Sequence, residues 1–495
     1  MKSDNSYKEG LKFTSIFGGV QFFQSFIYIV KSKIVAVLLG PDGIGIIGLL
    51  NSLIQLILTI CNVGITQTAV RNLSLADSSG DKQAFNKAAS VFFRLIRLTA
   101  VIGMLLCLLL SPLWSYLTFG NFNYTIAFLV LSCSVLMNQM SNGNNVLMQS
   151  TRKMKMLATS AIYGSIVSLV ISVPLYFFLH NDGIVPAIAI TSIAVFLISR
   201  HYARKIKYEK VPVTNKVAIK EGRNIIRLGF FVTLQGFFSM LTTYLICIFV
   251  NHIGSTFDVG IYRSGFMIVD TAVSMVFAAI SSEYYPRLSA CSRDVNAFNN
   301  AINQQMHISL VFLGPILALF TMFSELVVFI FLSPKFLLAS TMMQIAMFGA
   351  FLRGPALCLG YTFLAKGDTN AFWLNEFTSK LFELIVTLLC YYKWGINGLG
   401  VAYFITYIEY LLQSAIICKH RYNYSFDTKL LYLLIPQMLI GIAIFVIVRT
   451  LGGVYMYSAG SLLCIVSIAL VFKALRKKLL TPNTHHPSSD NTPLK

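Results

Sequence analysis

Apolar runs of roughly 20 or more residues recur along nearly the whole chain, and that is the length a helix needs to cross about 30 Å of hydrocarbon. In lipid every backbone N–H and C=O must be bonded within the protein, which leaves only helices and closed barrels. Barrel strands would alternate in short segments, and these runs do not. Only 12% of the 495 residues are charged, against about a quarter in soluble domains, and the mean hydropathy is +0.71. The chain reads as an all-α polytopic membrane protein. Its first apolar run is too long for a cleavable signal peptide and lacks a small-residue cleavage site, so it is expected to stay as a span.

Hydropathy divides the chain into about fourteen spans, the first two over 13–38 and 44–69, the eighth over 259–282, and the eleventh and twelfth over 372–392 and 396–418. The first two spans echo the seventh and eighth. "GVQFFQSF…VLLGPDGIGIIGLL" aligns with "VTLQGFFSM…VNHIGSTFDVGIYRSG", so that Gln21 falls on Gln235 and Gly40 on Gly254 at one offset. After a one-residue insertion Gly45 falls on Gly260, and further on "NDGIVPA" and "KWGINGLG" set Gly183 opposite Gly395. An even number of spans separates these positions, so both halves enter the membrane in the same direction. They are expected to be parallel repeats, two six-helix bundles about a pseudo-twofold axis along the membrane normal with a central cavity between them. The expected organisation is an N-terminal six-helix lobe over 1–205, a cytoplasmic linker over 206–222, a C-terminal six-helix lobe over 223–420, an appended helix pair over 421–478 and a disordered cytoplasmic tail over 479–495.

A net charge of +20 would suggest nucleic acid in a soluble protein, but its distribution points to topology instead. With the N-terminus inside, 31 of the 39 Lys and Arg fall on the cytoplasmic side of the membrane. Lys335, Lys393 and Arg449 lie outside, and Lys31, Lys33, Arg263, Arg353 and Lys380 lie within spans. The positive-inside rule then puts both termini in the cytoplasm. The densest cluster, "RHYARKIKYEKVPVTNKVAIKEGRNIIR", reads as a topology determinant against anionic headgroups. Nine scattered cysteines have no CxxC or zinc-type spacing, and neither a metal nor a cofactor is expected. There is no phosphate-binding P-loop, HExxH or GxSxG. The expected external loops, such as "SPLWSYLTFGN", are only about ten residues long, too short to hold a sugar-polymerising centre. The chain is therefore not expected to be an enzyme.

A charge at a helix centre costs about 2.5–3.5 kcal/mol on insertion scales, so each in-span charge should face water or a partner. Lys31 and Lys33 stand about 200° apart on a helix and cannot share a face. Lys33 is near enough to the outer end to snorkel. Arg263 and Asp270 stack two turns apart on one face, facing the cavity together or pairing with other helices. Arg353 precedes Gly354-Pro355, a pair expected to weaken the helix and free carbonyls. Glu376, Lys380 and Glu383 have the spacing of an intrahelical salt-bridge ladder, and Glu325 and Glu409 read as scaffold acids or as acids kept protonated by burial. Tyr262, Tyr284, Tyr285 and Tyr361 could stack on sugar rings, although packing or interfacial anchoring accounts for each as simply. A cavity with several cations suits a strongly anionic ligand, with lysine as a point charge and arginine as a planar fork of donors.

"GPDGIGIIGLLNSLIQLILTICNVGITQTAVRNL", "FDVGIYRSGFMIVDTAVSMVFAAISSEYYPRLS" and "CLGYTFLAKGDTNAFWLNE" resemble the Wzx-type O-antigen and enterobacterial common antigen flippases of the multidrug/oligosaccharidyl-lipid/polysaccharide exporter superfamily. The resemblance covers about the first 420 residues. It implies a flippase that moves undecaprenyl-pyrophosphate-linked oligosaccharide from the inner to the outer leaflet of the bacterial cytoplasmic (inner) membrane. Asp270 in "IVDTA" and Arg353 in "FLRGP" fall where this family has an acid and a base. The expected substrate-binding set is Lys31, Lys33, Arg263 and Arg353, with Asp270 as a cavity acid or coupling residue. A sodium or proton gradient is a possible coupling ion, and a polysaccharide polymerase and a chain-length regulator are possible partners. Wzx-type proteins usually have twelve spans, and fourteen is similar to the lipid II flippase branch. A multidrug cation exporter of the same fold would need a net acidic cavity. A membrane glycosyltransferase would need a large external loop, and a scaffold subunit would have no use for buried charge.

Overall fold

A computed structural model describes residues 2–221 and 223–479 and is helical throughout, with no strand among the described residues. The helices are α1 (Lys2–Asn62), α2 (Ile65–Ser78), α3 (Lys82–Leu109), α4 (Ser111–Phe119), α5 (Thr125–Ser150), α6 (Met154–Leu179), α7 (Ile184–Ala203) and α8 (Asn215–Glu221). They continue with α9 (Arg223–Ile253), α10 (Thr256–Ala279), α11 (Tyr285–Ala290), α12 (Val295–Phe331), α13 (Ala339–Lys366), α14 (Thr369–Tyr422), α15 (Leu431–Thr450) and α16 (Gly453–Leu479). Ten stretches among the described residues are long and apolar enough to cross a membrane. The tail expected to be disordered lies outside the described residues from 480 onward.

Two helices are far too long for one crossing. At 1.5 Å per residue, the 61 residues of α1 and 54 of α14 would run roughly 90 and 80 Å if straight. Each is interrupted at one residue, Gly40 (φ 67°, ψ −169°) and Gly395 (φ 56°, ψ −139°), both in backbone conformations that only glycine adopts readily. The expected gaps at 38–44 and 392–396 thus contract to single-residue breaks. The second expected span ends early, because Val63 (φ 43°) and Gly64 (φ 66°) are left-handed and separate α1 from α2. A Cβ on Gly64 would strike the Gly229 carbonyl, so the backbone of α9 lies directly on this turn. Hydropathy misses the break because apolar residues flank it.

The described chain forms two compact units. The first comprises the residues up to Met267 with Glu325–Met342 and Glu376–Ala402. The second comprises Ile268–Ser324, Met343–Asn375 and the described residues from Tyr403 on.

In the first unit α3 packs on α5, α5 and α6 on α7, and α1 on α6 and α9. Leu50, Leu53, Ile57, Phe128, Leu131 and Val135 form one buried cluster, and Ile65, Phe92, Ile96 and Leu147 form another. Side chains this size contribute about 1.5–3 kcal/mol each when taken out of water, but in lipid close packing is what remains to hold helices together. The closest approach involves glycines. A Cβ on Gly45 would collide with the Thr256 carbonyl, one on Gly260 with the Pro41 carbonyl, and the Gly45 and Gly260 nitrogens lie 3.1 Å from those Cβ positions. These two contacts exchange when each residue is shifted by the offset that relates Gly45 to Gly260, the relation a local twofold axis produces.

The stretch "SPLWSYLTFGN", expected as a loop, is mostly the helix α4. Pro112 starts it and the left-handed Gly120 (φ 73°) ends it. It is fastened to α9: Asn251 Nδ2 donates to the Thr118 carbonyl (2.9 Å), His252 Nε2 lies 2.8 Å from the Leu117 carbonyl, and Thr118 Oγ1 meets Tyr244 OH at 2.8 Å.

In the second unit α15 and α16 pack on α12 through Ala318, Met322, Ile440, Ile444 and Cys464. Gln437 Nε2 donates to the Ser467 carbonyl (3.1 Å), and Ser467 Oγ donates back to Gln437 Oε1 (2.6 Å), both residues being buried. The expected weakening at Gly354-Pro355 does not occur. Helix α13 continues through Pro355 without a non-helical residue. Gly354 lies tight against Leu313 and Ser309, where no Cβ would fit, so contact with α12 supports the helix at that point.

Candidate functional site

The second unit brings three helices together around one cation. Arg353 comes from α13, Asp270 from α10, and Tyr403 and Tyr407 from the part of α14 that follows Gly395. Tyr403 and Tyr407 are four residues apart and therefore share a helix face, with ring centroids 4.8 Å apart. Arg353 Nη1 donates to Asp270 Oδ1 at 2.7 Å and to Tyr403 OH at 3.1 Å. The guanidinium lies 4.7 Å from the Phe277 ring centroid and 5.7 Å from that of Tyr407.

These contacts explain how a cation is tolerated in an apolar helix. A hydrogen bond to a charged group is worth about 1.5–3 kcal/mol and a desolvated cation–π contact up to about 2 kcal/mol. Their sum offsets the roughly 2.5–3.5 kcal/mol of inserting an arginine at a helix centre. Arg353 is thus held on two sides and fixed in direction. Asp270 is more open, its side chain 57% exposed against 27% for Arg353. The Nε of Arg353 is buried and has no hydrogen-bond partner among the described residues.

The other expected cations belong to the first unit. Lys31 Nζ donates to Ser168 Oγ at 2.7 Å. Lys33 Nζ donates to the Phe329 carbonyl at 2.5 Å and lies 5.5 Å from that residue's ring. Arg263 rests its aliphatic stem on Gly48, where a Cβ would come within 3.0 Å of its Cγ. Among the described residues Arg263 makes no ion pair. Asp270, two turns further along α10, takes Arg353 as its partner. Of the expected ladder on α14, Lys380 and Glu383 pair at 2.6 Å, and Glu376 accepts from Gln235 Nε2 at 3.0 Å. Glu325 is exposed and Glu409 Oε2 is buried.

Of the tyrosines singled out in the sequence, Tyr284 is fully buried and donates to the Cys358 carbonyl at 2.9 Å. Tyr285 packs against Tyr361 with centroids 5.8 Å apart, and Tyr262 against Phe266 at 5.0 Å. The aromatic residues that do surround a cation, Phe277, Tyr403 and Tyr407, were not foreseen. The i, i+4 spacing of Tyr403 and Tyr407 in "AYFITYIEY" was the available signal. Among the described residues no group of three or more His, Cys, Asp or Glu could hold a metal ion.

The sequence family described as polysaccharide biosynthesis protein matches residues 34–341, more than half of the chain. A search of curated proteins finds no match. Among solved structures the chain is similar to the lipid II flippase MurJ in an inward closed conformation, with a TM-score of 0.69 at 15% identity, covering 94% of this chain and 99% of that one. It is also similar to an inward-facing multidrug resistance MATE family transporter of the MOP superfamily, with a TM-score of 0.68 at 12% identity over 80% of this chain and 95% of that one. A third likeness, to the MATE multidrug transporter DinF-BH, has a TM-score of 0.59 at 14% identity over 83% and 96%. The chain therefore belongs to the polysaccharide biosynthesis protein family, and its fold is that of the multidrug/oligosaccharidyl-lipid/polysaccharide exporter superfamily of flippases and transporters.

Proposed function

We propose that this protein flips undecaprenyl-pyrophosphate-linked oligosaccharide, an O-antigen-type repeat unit, from the inner to the outer leaflet of the bacterial cytoplasmic membrane by alternating access. The observation that carries the reading is a guanidinium pinned in fixed orientation inside an apolar helical unit, in a chain of the polysaccharide biosynthesis family. A fixed cation at depth is of little use to a cationic drug and of direct use to a polyanionic headgroup. In this reading the chain has fourteen spans, two six-helix lobes over 1–205 and 223–420, a cytoplasmic linker and both termini in the cytoplasm. Arg353 and Arg263 receive the pyrophosphate and any acidic sugar, with Lys31 or Lys33 contributing charge, while the polyprenyl chain stays in lipid.

The mutual contact of the repeat-related Gly45 and Gly260 supports lobes related by a twofold axis along the membrane normal. That geometry suits rocking of one lobe against the other, which exposes the headgroup first to one side and then to the other. A polysaccharide polymerase and a chain-length regulator are the partners this role calls for.

The test is leaflet exchange of a fluorescent undecaprenyl-pyrophosphate oligosaccharide in vesicles holding the purified protein, against fluorescent phospholipid. Exchange of the oligosaccharide lipid alone is expected. Exchange of both, or of neither, defeats the reading. A second reading, a lipid II-type flippase, is favoured by the MurJ likeness, which extends over 94% of the chain and so includes the appended helix pair. Preferential exchange of a muropeptide-bearing lipid in the same assay would select it.

A further inference from the structure

Helix α12 runs from Val295 to Phe331 with one residue out of line, Phe323 (φ −106°, ψ 18°), and neither glycine nor proline stands at that break. Its cause comes from α13. Gln344 Nε2 donates to the Thr321 carbonyl at 3.1 Å and to Ser324 Oγ at 2.8 Å, so one buried carboxamide holds residues on both sides of Phe323. A side chain that enters the helical ladder in this way kinks a helix. The division between the two compact units falls at the same place, Ser324 belonging to the second and Glu325 to the first.

The body and the tip of α12 are held by different partners. The body carries Ala318 and Met322 into the apolar cluster with Ile440, Ile444 and Cys464 of α15 and α16. The tip stops because Ser333, two residues past Phe331, is extended (φ −151°, ψ 165°). The last carbonyls of a helix lack in-helix donors and carry the negative end of its dipole. One of them, on Phe329, accepts from Lys33 Nζ of α1 at 2.5 Å, and the ammonium lies 5.5 Å from the centroid of the same residue's ring. About one turn further along α1, the Ala36 carbonyl is approached by Ser333 Oγ at 3.5 Å. Lys33 makes no ion pair among the described residues.

We infer that the tip of α12 is a flap, hinged at Phe323 and held shut against α1 by Lys33, whose ammonium caps the helix end instead of gripping a headgroup. Lys33 is thus a positioning residue, and of the two first-span lysines only Lys31 is left to contribute charge to the ligand. The flap goes beyond the flippase reading and takes only its direction from it. With the N-terminus in the cytoplasm, Lys33 and Phe329 stand toward the outer end, where the headgroup leaves. The hold suits a part that opens, because breaking it strands no carboxylate, unlike the pairing of Arg353 with Asp270.

The experiment is hydrogen–deuterium exchange of the full-length protein in lipid nanodiscs, read by mass spectrometry on peptides covering 324–336. It compares wild type, Lys33→Met and Lys33→Arg, each checked for a monodisperse state. Lys33→Met is expected to speed exchange in these peptides by roughly threefold to thirtyfold, the range for a charge at a helix end, while peptides of α5 keep their rates. Lys33→Arg retains a charged donor and should stay near wild type. Equal exchange in Lys33→Met and wild type would overturn the clasp, and so would faster exchange throughout the chain, which marks general support of the fold. A second measurement adds Ser333→Cys, a nearly isosteric change at a buried position, and follows its labelling by a membrane-impermeant maleimide against the parent with its nine native cysteines. Labelling should be slow with Lys33 present and about threefold or more faster with Lys33→Met. Fast labelling in both would mean that the tip is not held, and would overturn the flap.

In vesicles, Lys33→Met should slow leaflet exchange of the fluorescent undecaprenyl-pyrophosphate oligosaccharide by about threefold or more, with Lys33→Arg restoring it. A loosened tip with wild-type leaflet exchange would overturn its part in transport. Slowed leaflet exchange with an unchanged tip would return Lys33 to the headgroup. A tip that behaves as expected in a protein without leaflet exchange would keep the clasp and discard the flippase reading.

Discussion

Arg353 and Arg263 are the same residue type in two apolar helices of the chain, yet they are held in opposite ways. Arg353, in the second unit, has an ion pair, a tyrosine hydroxyl and two aromatic rings around its guanidinium. Arg263, in the first unit, rests a methylene stem on Gly48 and makes no ion pair among the described residues. One is a cation whose guanidinium is tied by named partners, and the other a cation placed by the packing of its stem. The difference teaches that counting charges in a span says how much field is present, while only their contacts say whether that field can recognise a shape.

The contrast fails most visibly if the two residues respond alike to a change that keeps the charge. Arg353→Ala is expected to abolish leaflet exchange, a loss of about a hundredfold or more from removing a fixed charged hydrogen-bonding group, and Arg353→Lys to recover little of it. Arg263→Ala should cost only about fivefold to tenfold, and Arg263→Lys should restore exchange, as a point charge does. Equal behaviour of the two lysine variants in the vesicle assay would erase the distinction.

A crowded and an open site can be compared in glycine as well. A side chain at Gly260 must push against the Pro41 carbonyl, whereas one at Gly236 meets nothing within 4 Å. Gly260→Val should lose about 1–3 kcal/mol of stability, the cost of overpacking, read as a lower thermal midpoint in detergent. Gly236→Ala should be neutral or gain up to about 1 kcal/mol from helix propensity. A Gly260→Val protein as stable as wild type would mean that the helices separate there without cost.

The smallest effect belongs to a charge outside the spans. Asp368 caps α14, accepting from the Ala371 N–H at 2.9 Å, and pairs with Arg421 at 2.6 Å and the Tyr422 hydroxyl at 3.1 Å. The backbone N–H of Ala371, then the side chains of Arg421 and Tyr422, hold its carboxyl below the ordinary aspartate value. A depressed folded-state value stabilises the fold above the unfolded aspartate's value near 3.9, and that contribution is lost as pH falls through the lower folded value. Asp368→Ala should therefore cost about 1 kcal/mol at neutral pH, as loss of a helix cap does. The gap in thermal midpoint from wild type should stay constant down to about pH 5 and shrink below about pH 4. A gap that instead closes between pH 7 and 5 would assign the effect to another group.

How far the sequence carried these conclusions depends on the range of the interaction. That the chain is built of long apolar helices was legible because apolar length is a local property, and the register relating Gly45 to Gly260 was legible because a repeat survives in one chain; that the two glycines touch was not. The Val63–Gly64 break was not, since nothing in the apolar residues around it records that another backbone passes at contact distance. Asp270 and Arg353 could each be singled out as costly charges in spans. That they meet each other depends on the packing of α10 against α13, which no spacing within either helix encodes. The same holds for Phe277 beneath the guanidinium. For Tyr403 and Tyr407 a face of one helix could be read, but not what that face was turned toward.

The reciprocal hydrogen bonds between Gln437 and Ser467 carry a last implication. In a layer where no water competes for an amide, cutting the chain anywhere between α15 and α16 would strand a carboxamide among hydrocarbon side chains. The two final helices are therefore expected to hold as a pair rather than one at a time.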